Sequence, residues 1–230
     1  MPNDPTPNDA DRSAALGLLD LLRGVEAFSH EVYPDNVELF KDLAKSQSPH
    51  TLFITCADSR IVPDLITQTQ PGELFVNRNI GNIVPAYGEM LGGVSAVIEY
   101  AVKALGVQQI VVCGHSDCGA MKGLMAPPPD NMPTVAAWLR NAAAAQSVVF
   151  ARKLEGAEAL KALIEENVRL QLAHLRTHPA VAAGLAQKSL VVQGWVYDIE
   201  HGTVSVFDEG ENTLQPLGEA IEKLEREVQA

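Results

Sequence analysis

VVCGHSDCGAM, residues 111–121, decides how this chain folds. An apolar, β-branched run reaches Gly114 and meets the polar turn His115-Ser116-Asp117-Cys118. Gly119-Ala120-Met121 then opens a helix. This is the pattern of a buried strand passing through a tight turn into a helix. The turn has three readings: a serine-nucleophile elbow, half of a metal site, or a loop without chemistry. What the other strands carry at their ends decides among them.

Working outward, HTLFIT (50–55) and ELFVNR (73–78) read as further buried strands, the second introduced by the turn pair Pro71-Gly72. Residues 92–107 read as a helix closing near Gly106, and residues 108–115 as the next strand. Strands alternating with helices imply right-handed crossovers and a parallel sheet. Residues 125–133 form a Pro-rich break, followed by an Ala-rich helix. From Leu160 a helical spacing continues until Pro179 stops it. SLVVQGWVYDI (189–199) is a strand, and His201-Gly202 turns it into TVSVFD as an antiparallel edge strand. Residues 217–230 read as a charged surface helix. Residues 14–46 form a helical arm, with Leu18, Leu19, Leu22, Phe28, Val37, Phe40 and Leu43 at apolar positions. Residues 1–13 are expected to be disordered. The fold expected is α/β: a mostly parallel central sheet flanked by helices, with an antiparallel edge strand and an N-terminal helical arm. Residues 1–230 are read as a single domain.

Composition limits the function. A formal charge of -12 argues against nucleic acid or an anionic membrane as partner. No apolar run is long enough to span a bilayer. The polar, acidic N-terminus lacks a signal or transit pattern, which points to the cytoplasm. Three cysteines, an odd number, read as reduced thiols rather than a disulfide framework.

In open parallel sheets ligands bind beyond the carboxyl ends of the strands. There this chain places Cys56-Ala57-Asp58-Ser59-Arg60, Asn77-Arg78-Asn79, and the His115–Cys118 turn. Adjacent strands would bring Cys56, His115 and Cys118 together. Thiolates and imidazole suit zinc, and a catalytic zinc keeps three protein ligands and an open position. Two thiolates, a neutral imidazole and Zn²⁺ sum to zero charge. A bidentate Asp58–Arg60 pair would fix the carboxylate's direction beside such an ion. Asp58 could then orient water, or, freed from Arg60, close the site as a fourth ligand. An H-x-x-C spacing alone is weak, and on spacing alone buried structural cysteines with a satisfied histidine remain the competing reading. Cys113, inside the strand, reads as core. The other histidines read as surface or structural.

The serine reading is disfavoured. G-x-S-x-G needs a second glycine for its sharp turn, and Cys118 stands there. Ser116 is expected instead to cap the following helix.

CADSR (56–60), PGELFVNRNIGNIV (71–84) and GHSDCGAMKG (114–123) closely resemble the β-class carbonic anhydrases, over roughly residues 24–207. The resemblance implies an enzyme that interconverts CO₂ and bicarbonate through a zinc-bound hydroxide, with one Zn²⁺ per chain held by Cys56, His115 and Cys118. It implies an Asp58–Arg60 orienting dyad, a hydrogen bond from Gln47 to substrate, an apolar pocket of Phe75, Ile80 and Tyr100, and a backbone N–H from Gly119. It also implies a homodimer or larger homo-oligomer, since two chains complete each pocket. The self-inhibited branch of the family usually carries Trp shortly before the first cysteine. Here that stretch is Thr51-Leu52-Phe53-Ile54-Thr55, which with Gln47 resembles the plant-like, open-site branch. Ala57 and Gly81 replace the commoner serine and alanine. Two other functions share the same chemistry: hydrolysis of CO₂-like molecules such as COS or CS₂, and a non-catalytic zinc-bound regulator.

Overall fold

The expected strands form at Thr51–Cys56 (β1), Leu74–Asn79 (β2), Gln109–His115 (β3), Val191–Asp198 (β4) and Thr203–Asp208 (β5), joined by Thr213–Pro216 (β6). They are seen in a computed structural model that describes residues 9–88, 92–127 and 131–229. The sheet order is β2-β1-β3-β4-β5-β6. β1 runs parallel to β2 and β3, and β3 parallel to β4. β4–β5 and β5–β6 are antiparallel. Every residue of β1 is buried, as expected of a strand covered on both faces. TVSVFD is antiparallel as expected, yet it is not the edge. β6 lies outside it. Its four residues end in Pro216, too short and too polar to show as a strand, and proline is tolerated at a sheet edge.

The helices are α1 (Asp9–Ala27), α2 (Val37–Leu43), α3 (Pro63–Thr67), α4 (Gly93–Tyr100), α5 (Gly119–Met125), α6 (Pro133–Leu139), α7 (Ala143–Ala151), α8 (Gly156–Thr177), α9 (Pro179–Ala186) and α10 (Leu217–Gln229). α4 runs on through a π-helical turn to Gly106, whose φ of 68° ends it as a left-handed cap. The Ala-rich segment is broken in two by a 3₁₀ turn at Arg140–Ala142. Pro179 does end α8, but it also begins α9. Its fixed φ and missing N–H suit a first helical position.

The chain falls into two compact units, Met1–Gln47 and Ser48–Ala230. In the first, α1 begins at Asp9, so residues 9–13 are helical rather than disordered. The rest of the stretch expected to be disordered lies outside the described residues. Phe28, Tyr33 and Phe40 cluster there, with ring centroids 5.4–6.3 Å apart. No helix among the described residues is long and apolar enough to cross a membrane.

In the second unit, α8 packs across β3 and β4. It comes close because both strands carry glycine beneath it. A Cβ at Gly114 would lie 2.8 Å from Val168 Cγ2, and one at Gly194 would lie 2.8 Å from both Leu172 Cδ1 and Val168 Cγ1. The sheet face under α8 is thus hollowed beside the end of β3, where the site lies.

Candidate metal centre

β1 and β3 are parallel neighbours with Thr55 opposite Cys113, so their carboxyl ends share one end of the sheet. Cys56 ends β1, His115 ends β3, and Cys118 sits just before α5. One donor atom from each lies within 4.8 Å of the other two, and all three residues are buried.

The donors are set for an ion. His115 Nδ1 lies 2.8 Å from the Ser116 carbonyl oxygen. A carbonyl only accepts, so Nδ1 carries the proton and Nε2 presents its lone pair. That Nε2 is buried and has no hydrogen-bond partner. An unpaired buried nitrogen is costly unless something in the site answers it. The two thiols interact with each other. The Cys118 thiol donates to Cys56, which lowers Cys56 to about 4, with the Gly81 N–H adding to the effect. Cys118 is correspondingly raised, first by that same hydrogen bond and then by burial. The pair thus gives up one proton readily and holds the second. Thiols and an imidazole with an unshared lone pair fit a borderline-soft divalent ion.

Arg60 Nε and Nη2 donate to the two oxygens of Asp58, at 2.9 and 2.8 Å. This bidentate pair, helped by the Arg60 backbone N–H and by His115, holds the Asp58 carboxyl well below the usual carboxylate range. Asp58 Oδ2 lies 3.9 Å from His115 Nε2. Arg60 Nη1 also reaches Asp117 Oδ2 at 3.1 Å, and Asp117 pairs in turn with Lys122. Arg78 binds the backbone of the same loop, donating to the Cys56 and Asp58 carbonyls at 3.2 and 2.6 Å.

Of the remaining residues, Phe75 and Tyr100 have rings 6.0 Å apart. Tyr100 is 51% exposed and Ile80 43%. The Ile80 carbonyl accepts from Trp138 Nε1 at 2.8 Å. Gly119 is the first residue of α5, and Gln47 is the last of the first unit. Cys113 is core, as read: burial pushes its thiol up to about 12. His174 and His178 bond the Val84 and Pro85 carbonyls and are structural. Ser116 does not cap α5, since Cys118 stands at that position. Its hydroxyl accepts the Ile199 N–H at 2.9 Å instead. Sequence reasoning gave no role to Arg78, Asp117, Asn167 or Gln171. Apart from the Asn167–Gln171 and Asp117–Lys122 pairs, their partners lie 20 to 87 residues away, where no local spacing signals them.

Parallel strands whose carboxyl ends bring together two thiols, an imidazole and an arginine-held carboxylate define an α/β enzyme with a candidate metal centre. The carbonic anhydrase family profile matches residues 51–204. A carbonic anhydrase of Pseudomonas aeruginosa is 51% identical over 204 residues, covering 88% of this chain and 93% of the relative. Carbonic anhydrase 1 of Escherichia coli O157:H7 is 49% identical over 202 residues, covering 87% and 92%. Among solved structures, the β-carbonic anhydrase CcaA superposes with a TM-score of 0.85 at 40% identity, covering 87% of this chain and 92% of that one. One of two tetrameric β-carbonic anhydrases of Sordaria macrospora gives 0.76 at 30% identity, covering 83% and 96%. The chain belongs to the β-carbonic anhydrase family, and its reaction is the reversible hydration of CO₂ to bicarbonate and a proton. Neither a hydrolase of COS or CS₂ nor a non-catalytic regulator is favoured.

Proposed function

We propose that Cys56, His115 and Cys118 hold one zinc ion per chain. The observation that carries this is the buried, partnerless Nε2 of His115 facing two thiols within 4.8 Å. Bound zinc would supply an acidified water, whose pKa falls to about 7 in three-histidine carbonic anhydrases. Two thiolates donate more charge than two imidazoles and push that value up. Asp58 acts on orientation: a carboxylate locked by Arg60 accepts a hydrogen bond from water in the site and fixes its direction.

Arg60 keeps both Asp58 oxygens engaged, which supports the open-site branch over self-inhibition. Gly119 offers its N–H, and Phe75, Ile80 and Tyr100 form the apolar wall. The exposure of Ile80 and Tyr100 in a single chain fits a pocket completed by a second copy. The enzyme therefore works as a homodimer or larger homo-oligomer. Three buried, unpaired cysteines fit a reducing compartment such as the cytoplasm.

The test is zinc content measured beside stopped-flow CO₂ hydration. The unaltered protein carries one zinc per chain and is active. Cys56→Ser loses the zinc and the activity together, and full zinc occupancy in that variant would remove Cys56 from the ligand set.

A further inference from the structure

Two fully buried amides on α8 belong to a hydrogen-bonded chain that reaches Cys56 through Gly81. Asn167 and Gln171 are 1% and 0% exposed and lie one helical turn apart. Burying two amides is costly unless their groups are paired, and leucine would fill the same space without that demand. Here the pairing runs in one direction. The Val84 N–H donates to Gln171 Oε1 at 2.9 Å, and Gln171 Nε2 donates to Asn167 Oδ1 at 2.8 Å. With its oxygen so occupied, Asn167 must present Nδ2 to the Gly81 carbonyl, which it meets at 3.0 Å.

Gly81 is the link to the metal ligands. Its N–H donates to Cys56 Sγ at 3.4 Å. Its φ of +80° is one that an L side chain rarely adopts, and a Cβ there would lie 3.0 Å from Ala120 Cβ and 3.1 Å from Met121 Cε, both on α5. Gly81 is therefore held between α5, which follows Cys118, and Asn167 on α8. Turning its carbonyl away from Asn167 would turn the residue and lose the contact to sulfur.

We propose that Asn167, oriented by Gln171, is a positioning residue of the metal centre: it fixes Gly81 so that the Gly81 N–H donates to the Cys56 sulfur. A hydrogen bond to a thiolate draws charge from it and makes it a weaker donor to the ion. This offsets part of the extra charge that two sulfurs bring. The proposal rests on Cys56 being a metal ligand.

The test uses full-length protein loaded with cobalt(II) alone, read by its thiolate-to-cobalt charge-transfer band and by zinc affinity in chelator competition. Losing the N–H···S bond leaves a more electron-rich sulfur. Asn167→Ala therefore moves the band to longer wavelength; separately, Cys56 loses a contact that holds its sulfur in place, and zinc binding weakens about 10-fold, as loss of an outer positioning partner typically does. Asn167→Asp keeps the shape and the acceptor for Gln171 but sets a carboxylate against the Gly81 carbonyl. It gives the same shift should the alanine variant fail to fold. Leu175→Ala, a core truncation two turns along α8 from Asn167, leaves band and affinity unchanged. In unaltered protein loaded with cadmium-113, scalar coupling between the metal and the Gly81 amide proton is expected, and its absence overturns the proposal. So does an unmoved band in a folded, cobalt-loaded Asn167 variant. No thiolate band in the unaltered protein would instead overturn the reading of Cys56 as a ligand, and this inference with it.

Discussion

At the scale of single residues, the Asp58 carboxylate is the group whose chemistry is most constrained. Arg60 takes both its oxygens through its side chain and its backbone N–H, and Arg78 pins the carbonyl of the same residue, so its direction is set by four hydrogen bonds. Asn in its place keeps the shape but presents an NH₂ where a water proton should be accepted. Asp58→Asn is expected to slow CO₂ hydration by about 100-fold or more, the usual weight of a positioned proton acceptor, while zinc content stays at one per chain. Stopped-flow rates beside elemental analysis check this. Unchanged rates would remove Asp58 from the reaction. The convergence of donors was legible at this scale because thiols, imidazole and the Asp–Arg pair sit within five-residue windows at strand ends. Asn167 and Gln171 were not. In sequence they are polar positions on a helix, and only the glycine-lined approach of α8 turns them inward.

At the scale of elements, the parallel strands and their crossovers could be read from apolar, β-branched runs bounded by turn residues. Failures came where one residue type serves two ends. Pro179 stops α8 and also starts α9, and Pro216 ends an edge strand of four residues. Gly194 shows how tightly the elements depend on one another. It is paired with Val112 in the β3–β4 ladder and lies directly under Val168 and Leu172 of α8. An added methyl meets side-chain atoms at 2.8 Å, and the whole helix must lift to make room. Gly194→Ala should cost about 1–3 kcal/mol by overpacking. For a chain of this size that lowers the melting temperature by several degrees, at about 2–4 °C per kcal/mol. Thermal unfolding followed by circular dichroism measures it, and an unchanged midpoint would mean that α8 does not press on the sheet as described.

At the scale of the whole molecule, the chain leaves apolar surface that a lone copy does not cover. On α1, Leu18, Leu21, Leu22 and Val25 follow the i, i+3, i+4, i+7 spacing of one helical stripe. Leu21 is 71% and Val25 63% exposed. Such a stripe is a surface that the homo-oligomer proposed above would bury, and on a chain of formal charge -12 that burial must outweigh the repulsion between like-charged copies. Each such side chain contributes about 1.5–3 kcal/mol when buried. Replacing Leu21 and Val25 together by Glu should therefore weaken self-association by about 100-fold. Light scattering over a dilution series would then find the variant at lower mass than the parent at micromolar concentration. CO₂ hydration per chain should fall in step with the mass, because Ile80 and Tyr100 lose the copy proposed to cover them. If the variant dissociates and keeps its rate, each chain holds a complete pocket and the shared-pocket reading fails. If it does not dissociate, the α1 stripe is not the surface on which the copies meet.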